Sequence, residues 1–203
     1  DIAAAKDFER NFAGTYIGEH KTALANTFRV IHLDFSGISP QRFEEDFTDQ
    51  VLSGFFDFCL RYPFKKGESL IRKKYDSAYQ LMSAFVREYE ATFKEPIYLI
   101  IDEYDQGANE VLASNLKSFQ ALTSSGGTLK TFYERLKQIA AKGTIGRIFI
   151  TGVTTIQLDS MTSGFSIAEN LTINPEFATM FGFTETELRS LIPQIIDLKK
   201  FGK

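Results

Sequence analysis

The stretch that decides the fold is Ile97-Tyr98-Leu99-Ile100-Ile101-Asp102-Glu103-Tyr104-Asp105. Its first five residues are apolar, and a short apolar run rich in isoleucine predicts a strand buried on both faces of a parallel sheet. Two neighbouring carboxylates, Asp102 and Glu103, follow at the point where this strand would leave the sheet. Because open α/β sheets bind ligands at the carboxyl ends of their parallel strands, this acidic pair is a candidate functional site.

Strand patterns alternate with helix patterns along the rest of the chain. The other strand patterns lie near residues 29–35, 147–153 and, more weakly, 171–173, and the main helix patterns lie near 39–60, 77–93 and 129–141. Ser39 and Pro40 are typical of a helix start, since serine caps the helix and proline is tolerated in its first turn. This alternation predicts βαβ units and therefore an α/β fold with a mainly parallel sheet.

The composition is that of an ordinary globular chain. It has 203 residues, of which 43% are hydrophobic and 24% charged, and its net charge of −3 provides no basic field for nucleic acid. Twenty Phe and eight Tyr predict an aromatic core. No apolar run approaches the roughly 18 residues of a membrane span. The single cysteine, Cys59, lies in an apolar stripe, which predicts a small core residue and favours the reducing cytoplasm.

The acidic pair has the residue types that phosphoryl transfer requires, namely groups that position a metal ion and a water molecule. On an extended strand, adjacent side chains point to opposite sides, so Asp102 can reach the metal ion while Glu103 faces the attacking water. The alternative is that both acids only cap the strand and increase solubility. Asp105 is either a supporting acid or the cap of the next turn.

Three further polar residues end or interrupt the other strands. Thr151 follows a buried strand, where it either contacts the γ-phosphate or the attacking water, or bonds locally at the turn into Gly152. Asp34 ends the first strand, either beside the acidic pair or as a turn cap. His32 is expected to be a structural histidine, because the chain has no metal-ligand spacing of histidines.

Five segments together resemble the AAA-ATPase-like family of P-loop nucleotide hydrolases. They are residues 14–18 (GTYIG), 30–37 (VIHLDFSG), 98–105 (YLIIDEYD), 151–153 (TGV) and 174–188 (NPEFATMFGFTETEL). The resemblance implies ATP and Mg²⁺ as cofactors, with Asp102 as the Walker B metal residue, Glu103 as the catalytic water-activating acid and Thr151 as the sensor-1 residue. It also implies a three-layer αβα core over residues 1–173, followed by the start of a helical lid over residues 174–203.

One part of the family pattern is missing, because the sequence contains no G-x-x-x-x-G-K-[ST] phosphate-binding loop. In the family this loop lies just upstream of the matching segments, and a nuclease-like domain of the PD-(D/E)xK type often follows downstream. The resemblance therefore implies a core that is incomplete at its N-terminus, with the missing first strand expected beside the acidic strand. It also implies a protein or nucleic-acid partner for the downstream domain. We predict that these 203 residues alone neither bind ATP tightly nor hydrolyse it.

Two other functions remain open at this point. The chain is either a nucleotide-gated regulatory or interaction module that binds ATP and turns it over slowly, or a degenerate domain that survives as a scaffold. The acidic pair is compatible with the regulatory module as well as with an ATPase. A G-K-[ST] sequence immediately before Asp1 would exclude the scaffold, and its absence there would favour it. The sequence leaves the oligomeric state and the identity of any arginine finger open.

Overall fold

The computed structural model describes residues 1–153, 168–180 and 182–195. The chain divides into two compact units, residues 1–167 and 168–203. The first unit contains strands β1 (Arg29–Asp34), β2 (Ile97–Asp102) and β3 (Ile145–Ile150). Its helices are α1 (Phe8–Phe12), α2 (Tyr16–Glu19), α3 (Phe43–Arg61), α4 (Gly67–Arg72), α5 (Ala78–Thr92), α6 (Gln106–Ser114), α7 (Leu116–Thr123) and α8 (Thr128–Ala141).

The three strands form a parallel sheet in the order β1-β2-β3. The sheet is open and flanked by helices, which confirms the predicted α/β class and is consistent with a P-loop-like αβα core. The acidic strand β2 is central and pairs with a strand on each side. Within these residues no gap is left beside β2. The expectation that a further strand, from outside this chain, lies next to the acidic strand stays a prediction.

Burial alternates along the strands. Ile31 and Leu33 of β1 and Leu99 and Ile101 of β2 are buried and belong to the main hydrophobic core. Their neighbours on the opposite face are less covered, because His32 is exposed and Tyr98 and Ile100 are half-buried. The apolar run of β2 is thus fully buried on one face only. For the described residues, the predicted burial on both faces is therefore only partly right, because Tyr98 and Ile100 keep some solvent exposure.

Helix α3 packs directly on β1 and shows why this segment is helical. Buried apolar residues at four-residue intervals, Phe43, Phe47, Val51 and Phe55, form its inner stripe. Three acids occupy its first turn, where the helix dipole favours negative charge. The start differs from the prediction, because the segment Pro40–Arg42 forms a 3-10 turn and the hydroxyl of its preceding serine caps no backbone amide.

The core between α3, α5 and α8 consists largely of aromatic rings, as the composition predicts. Phe55 stacks on Phe85 with ring centroids 4.0 Å apart, and Phe35 stacks on Phe47 at 4.5 Å. Phe132 of α8 meets Phe47 edge-on at 4.9 Å. Offset and edge-to-face rings of this kind add to the free energy gained from burial alone. The resulting rigid layer supports the sheet whose carboxyl ends carry the acidic residues.

The second unit has a short 3-10 helix, Pro175–Phe177, and helix α9 (Glu185–Ile195). Thr184 and Glu187 form a capping box, since each side chain accepts the backbone amide of the other residue, at 2.7 and 3.3 Å. The predicted weak strand near residues 171–173 is wrong, because this segment is an exposed turn. Within the described ranges, no helix has the length and apolarity needed to cross a bilayer.

Candidate functional site

The acidic pair lies at the carboxyl end of the central strand. Asp102 is the last residue of β2, and Glu103 follows with a φ of 53°. This left-handed conformation is uncommon for residues other than glycine. The backbone is therefore not extended across the pair, contrary to the geometry assumed for the two carboxylates. The Glu103 amide donates a hydrogen bond to Asp102 Oδ1 at 3.1 Å, which stabilises the sharp turn.

Thr151 is the first residue after β3, and its side chain reaches the central strand. Its hydroxyl donates a hydrogen bond to Asp102 Oδ1. Its amide donates to the carbonyl of Ile101 at 2.9 Å, and its carbonyl accepts from the amide of Tyr104 at 3.2 Å. The structure thus brings Asp102 and Thr151 together, and the threonine hydroxyl bonds across to β2 rather than to its own turn.

Asp34 ends β1 in direct register with Asp102. Its carboxylate Oδ1 accepts the backbone amide of Ser36 at 2.8 Å, and this hydrogen bond is the main cause that lowers the pKa of Asp34 below its usual value. Both interpretations of this residue hold, because Asp34 caps the turn after β1 and also lies one strand away from Asp102. It therefore adds negative charge near the carboxyl ends of the strands.

Sequence reasoning missed the main role of Asp105. The residue is fully buried, and its carboxylate accepts the amide of Val153 at 3.1 Å and the side-chain amide of Asn109 at 2.9 Å. Although Asp105 occupies the position just before α6, its side chain caps no amide of that helix. The expectation that it caps the next turn is wrong, since the carboxylate is used to hold the loop after β3. The only sequence signal was a third acid close behind the pair.

Two other candidate residues lie away from the site. His32 is exposed, so it is not a buried structural histidine. It lines a groove of about 530 Å³ between β1 and α3, which shares no residue with the acidic pair. Cys59 is buried as predicted, and burial raises the pKa of its thiol to about 11, which makes it a poor nucleophile.

The arrangement offers oxygen ligands to a hard cation. Within the described residues, Asp102 Oδ1 accepts two hydrogen bonds, from Thr151 and Glu103, and no group donates to Asp102 Oδ2. The Glu103 side chain is half-buried and makes no hydrogen bond or ion pair with the described residues. The same part of the chain holds no cluster of three or more metal-ligating side chains. One carboxylate oxygen at Asp102 and the carboxylate of Glu103 are thus available to a ligand.

Comparison of the sequence with known proteins finds a protein family that matches most of the chain. No curated protein and no solved structure matches the chain. The sequence profile of the AAA-ATPase-like family, described as Predicted AAA-ATPase, matches residues 1–162, a range that includes β1, β2 and β3 with Asp102, Glu103 and Thr151. Because this match covers well over half of the 203 residues, the chain belongs to the AAA-ATPase-like family of predicted AAA-ATPases.

Proposed function

We propose that this chain forms the magnesium-binding and water-activating part of an ATP-hydrolysing domain. In this proposal Asp102 is the metal residue, Glu103 the acid that activates water, and Thr151 the sensor that contacts the γ-phosphate. The observation that supports it most is the hydrogen bond from the Thr151 hydroxyl to Asp102, made where two neighbouring parallel strands end. Family membership suggests nucleotide and magnesium use, and the individual roles are our inference.

The residues present fit a magnesium ion. Mg²⁺ prefers oxygen ligands, and at phosphate sites it needs only one or two carboxylates because waters and phosphate oxygens complete its shell. Asp102 Oδ2, which accepts no hydrogen bond from the described residues, is the oxygen that would bind it. When bound, the ion would neutralise negative charge on the phosphates. The nearby carboxylates of Glu103 and Asp34 would also favour a cation in this region.

Two residues of the chain would act on the water and the phosphate directly, Glu103 by accepting a proton and Thr151 by positioning its hydroxyl. The Glu103 carboxylate would accept a proton from the attacking water, because it is not engaged by any described residue. The left-handed turn at Glu103 aims this side chain differently from an extended strand, and such strained conformations, which cost about 1–3 kcal/mol, cluster at functional sites. Thr151, whose backbone is hydrogen-bonded to Ile101 and Tyr104, would present its hydroxyl at a fixed place.

The proposal requires a phosphate-binding loop from outside these 203 residues. Such a loop binds the phosphates through a row of backbone amides and a lysine, and the sequence contains no segment of that pattern. Without it, the acidic pair lacks the backbone amides and the lysine that would hold the β- and γ-phosphates. We therefore infer that the ATPase reaction belongs to the complete protein and that the chain by itself is inactive.

The test measures ATP hydrolysis by the complete protein. Glu103→Gln is expected to lower kcat by about 10²–10⁴-fold, the usual contribution of a general base, while ATP binding persists. Glu110→Gln is the matched control, because Glu110 is exposed on α6, and it should leave kcat unchanged. A Glu103→Gln protein with the kcat of the wild type would overturn the proposal.

The same assay separates the other two functions. A regulatory module would bind ATP, turn it over slowly, and respond little to Glu103→Gln. A degenerate scaffold would neither bind nor hydrolyse ATP. Asp102→Asn distinguishes the metal role further, since it should weaken binding of ATP in the presence of Mg²⁺ but not in its absence.

A further inference from the structure

The carboxylate of Asp105, which the proposed reaction does not use, is buried in the loop that follows the acidic pair. Asp105 has no solvent exposure, and its two oxygens bind different parts of the chain. Oδ1 accepts the amide of Val153, in the loop after β3, and Oδ2 accepts Nδ2 of Asn109, on α6. The carboxylate therefore connects the loop that follows the acidic strand with the loop that follows its neighbour.

Gly152 allows this connection because the two loops touch at its α-carbon. A Cβ at this position would collide with Oδ1 of Asp105 and would lie 2.5 Å from Cδ1 and Cε1 of the Tyr104 ring. Tyr104 and Asp105 are both buried, so neither has room to give way. Any side chain at residue 152 would thus push the loop away from the carboxylate.

These contacts hold Thr151 from both sides. Before it, β3 pairs with β2. The amide of Thr151 donates to the carbonyl of Ile101 in β2, and its carbonyl accepts from the amide of Tyr104 in the loop after β2. After it, Gly152 packs on Asp105, and Val153 is anchored to the same carboxylate. The hydroxyl of Thr151 can reach Asp102 only while the loop after β3 keeps this position. A shift of that loop by one residue would turn the Thr151 side chain to the opposite face, away from Asp102.

We infer that Asp105, Asn109, Gly152 and Val153 form a clamp that positions Thr151 against Asp102. Asp105 is a positioning residue in this clamp, because it acts through Thr151 and not on a substrate. The existence of the clamp follows from the contacts above, whereas its effect on turnover rests on the proposed ATPase function. The alternative is that Asp105 only caps α6, but its side chain makes no capping hydrogen bond to that helix.

A charge-exchange experiment tests the clamp. Asp105→Asn should be tolerated, because Asn109 can rotate its amide and restore the hydrogen bond with donor and acceptor exchanged. Asn109→Asp should open the clamp, since it places two carboxylates in a contact of 2.9 Å. The double variant Asp105→Asn, Asn109→Asp should close it again, with asparagine donating to aspartate. Asp57→Asn, at an exposed position on α3, is the control.

The first measurement needs no nucleotide. Hydrogen exchange of the Val153 amide in the complete protein reports the clamp directly, because this amide is bound to Asp105. Loss of a hydrogen bond to a charged group corresponds to about a tenfold or larger change in equilibrium. We therefore expect exchange at Val153 to rise about tenfold or more in Asn109→Asp and Asp105→Ala, and to return to the wild-type rate in the double variant.

The second measurement is the split between kcat and KM for ATP. Opening the clamp should lower kcat about tenfold or more with little change in KM, since binding is left to other residues, and the double variant should recover kcat. Unchanged exchange at Val153 in Asn109→Asp, or a normal kcat in a variant with raised exchange, would overturn the inference. A wild type that does not hydrolyse ATP would refute the proposed function instead, and hydrogen exchange would then decide the clamp alone.

Discussion

Replacing Gly54 with alanine provides a sensitive test of how closely α3 packs on the sheet. Gly54 is buried in the middle of this helix, on the side that faces β1. A Cβ built at Gly54 would lie 2.5 Å from Cδ2 of Leu33 and 2.6 Å from the carbonyl oxygen of His32. Both distances are far shorter than an ordinary van der Waals contact, so the extra methyl group requires the helix or the strand to move.

Two opposing effects determine whether Gly54→Ala raises or lowers the free energy of unfolding. Alanine is favoured over glycine in a helix interior by about 1 kcal/mol, which would stabilise the protein. Overpacking a core site costs about 1–3 kcal/mol, and here the upper part of that range applies because one neighbour is a backbone carbonyl in a paired strand. The net expectation is a loss of about 1–2 kcal/mol in the free energy of unfolding. For a chain of this size, that loss corresponds to a Tm lower by about 2–8 °C.

Thermal or urea unfolding followed by far-ultraviolet circular dichroism measures the change. Ser53→Ala is the matched control, because Ser53 is the adjacent residue on α3 and is exposed. Its Tm should stay the same or rise slightly, since alanine is the better helix former. If Gly54→Ala stabilised the protein as much as Ser53→Ala, the close contact between α3 and β1 would be refuted.

Two further predictions concern reactivity and binding. Burial raises the pKa of Cys59 to about 11, so at pH 8.5 only about 0.3% of it is thiolate, against about half of an unhindered cysteine. Alkylation by iodoacetamide at this pH should therefore be at least about 100-fold slower in the folded protein than in urea. Equal alkylation rates in both states would contradict the burial of Cys59. Because the thiol ionises at a lower pH in the unfolded chain than in the folded one, the free energy of unfolding should also fall as the pH rises from about 8.5 towards 11. Calorimetric titration of the 203-residue chain with Mg-ATP should show no micromolar binding, since no phosphate-binding loop is present, and a micromolar Kd would contradict this reasoning.

Much of the fold could be predicted because hydrophobic periodicity and end signals act locally. The helix predicted over residues 77–93 is observed as Ala78–Thr92, and Ser77 caps it by accepting the amide of Gln80. The strand predicted near residues 29–35 is observed as Arg29–Asp34. The strand predicted near residues 171–173 is not observed. Its pattern is only three residues long, apolar-polar-apolar, and so short a pattern specifies no partner strand.

The coverage of the sheet could not be predicted from β2 alone. Its apolar run shows that the side chains tolerate burial on both faces, but burial itself depends on which helices pack there. In the described residues the core helices leave Tyr98 and Ile100 half-exposed. Strand order is likewise a tertiary property, and only the structure places β2 between β1 and β3.

The sequence by itself determined that two carboxylates follow a buried strand and that a threonine follows the next one, because strand ends are encoded by short-range patterns. Only the tertiary structure decided that the Thr151 hydroxyl meets Asp102 and that Asp105 lies beneath Gly152. These contacts join residues almost fifty positions apart, and they depend on the parallel register of β2 with β3 and on the left-handed turn at Glu103. Neither the register nor the turn is specified by residue types alone, since both result from packing between distant parts of the chain.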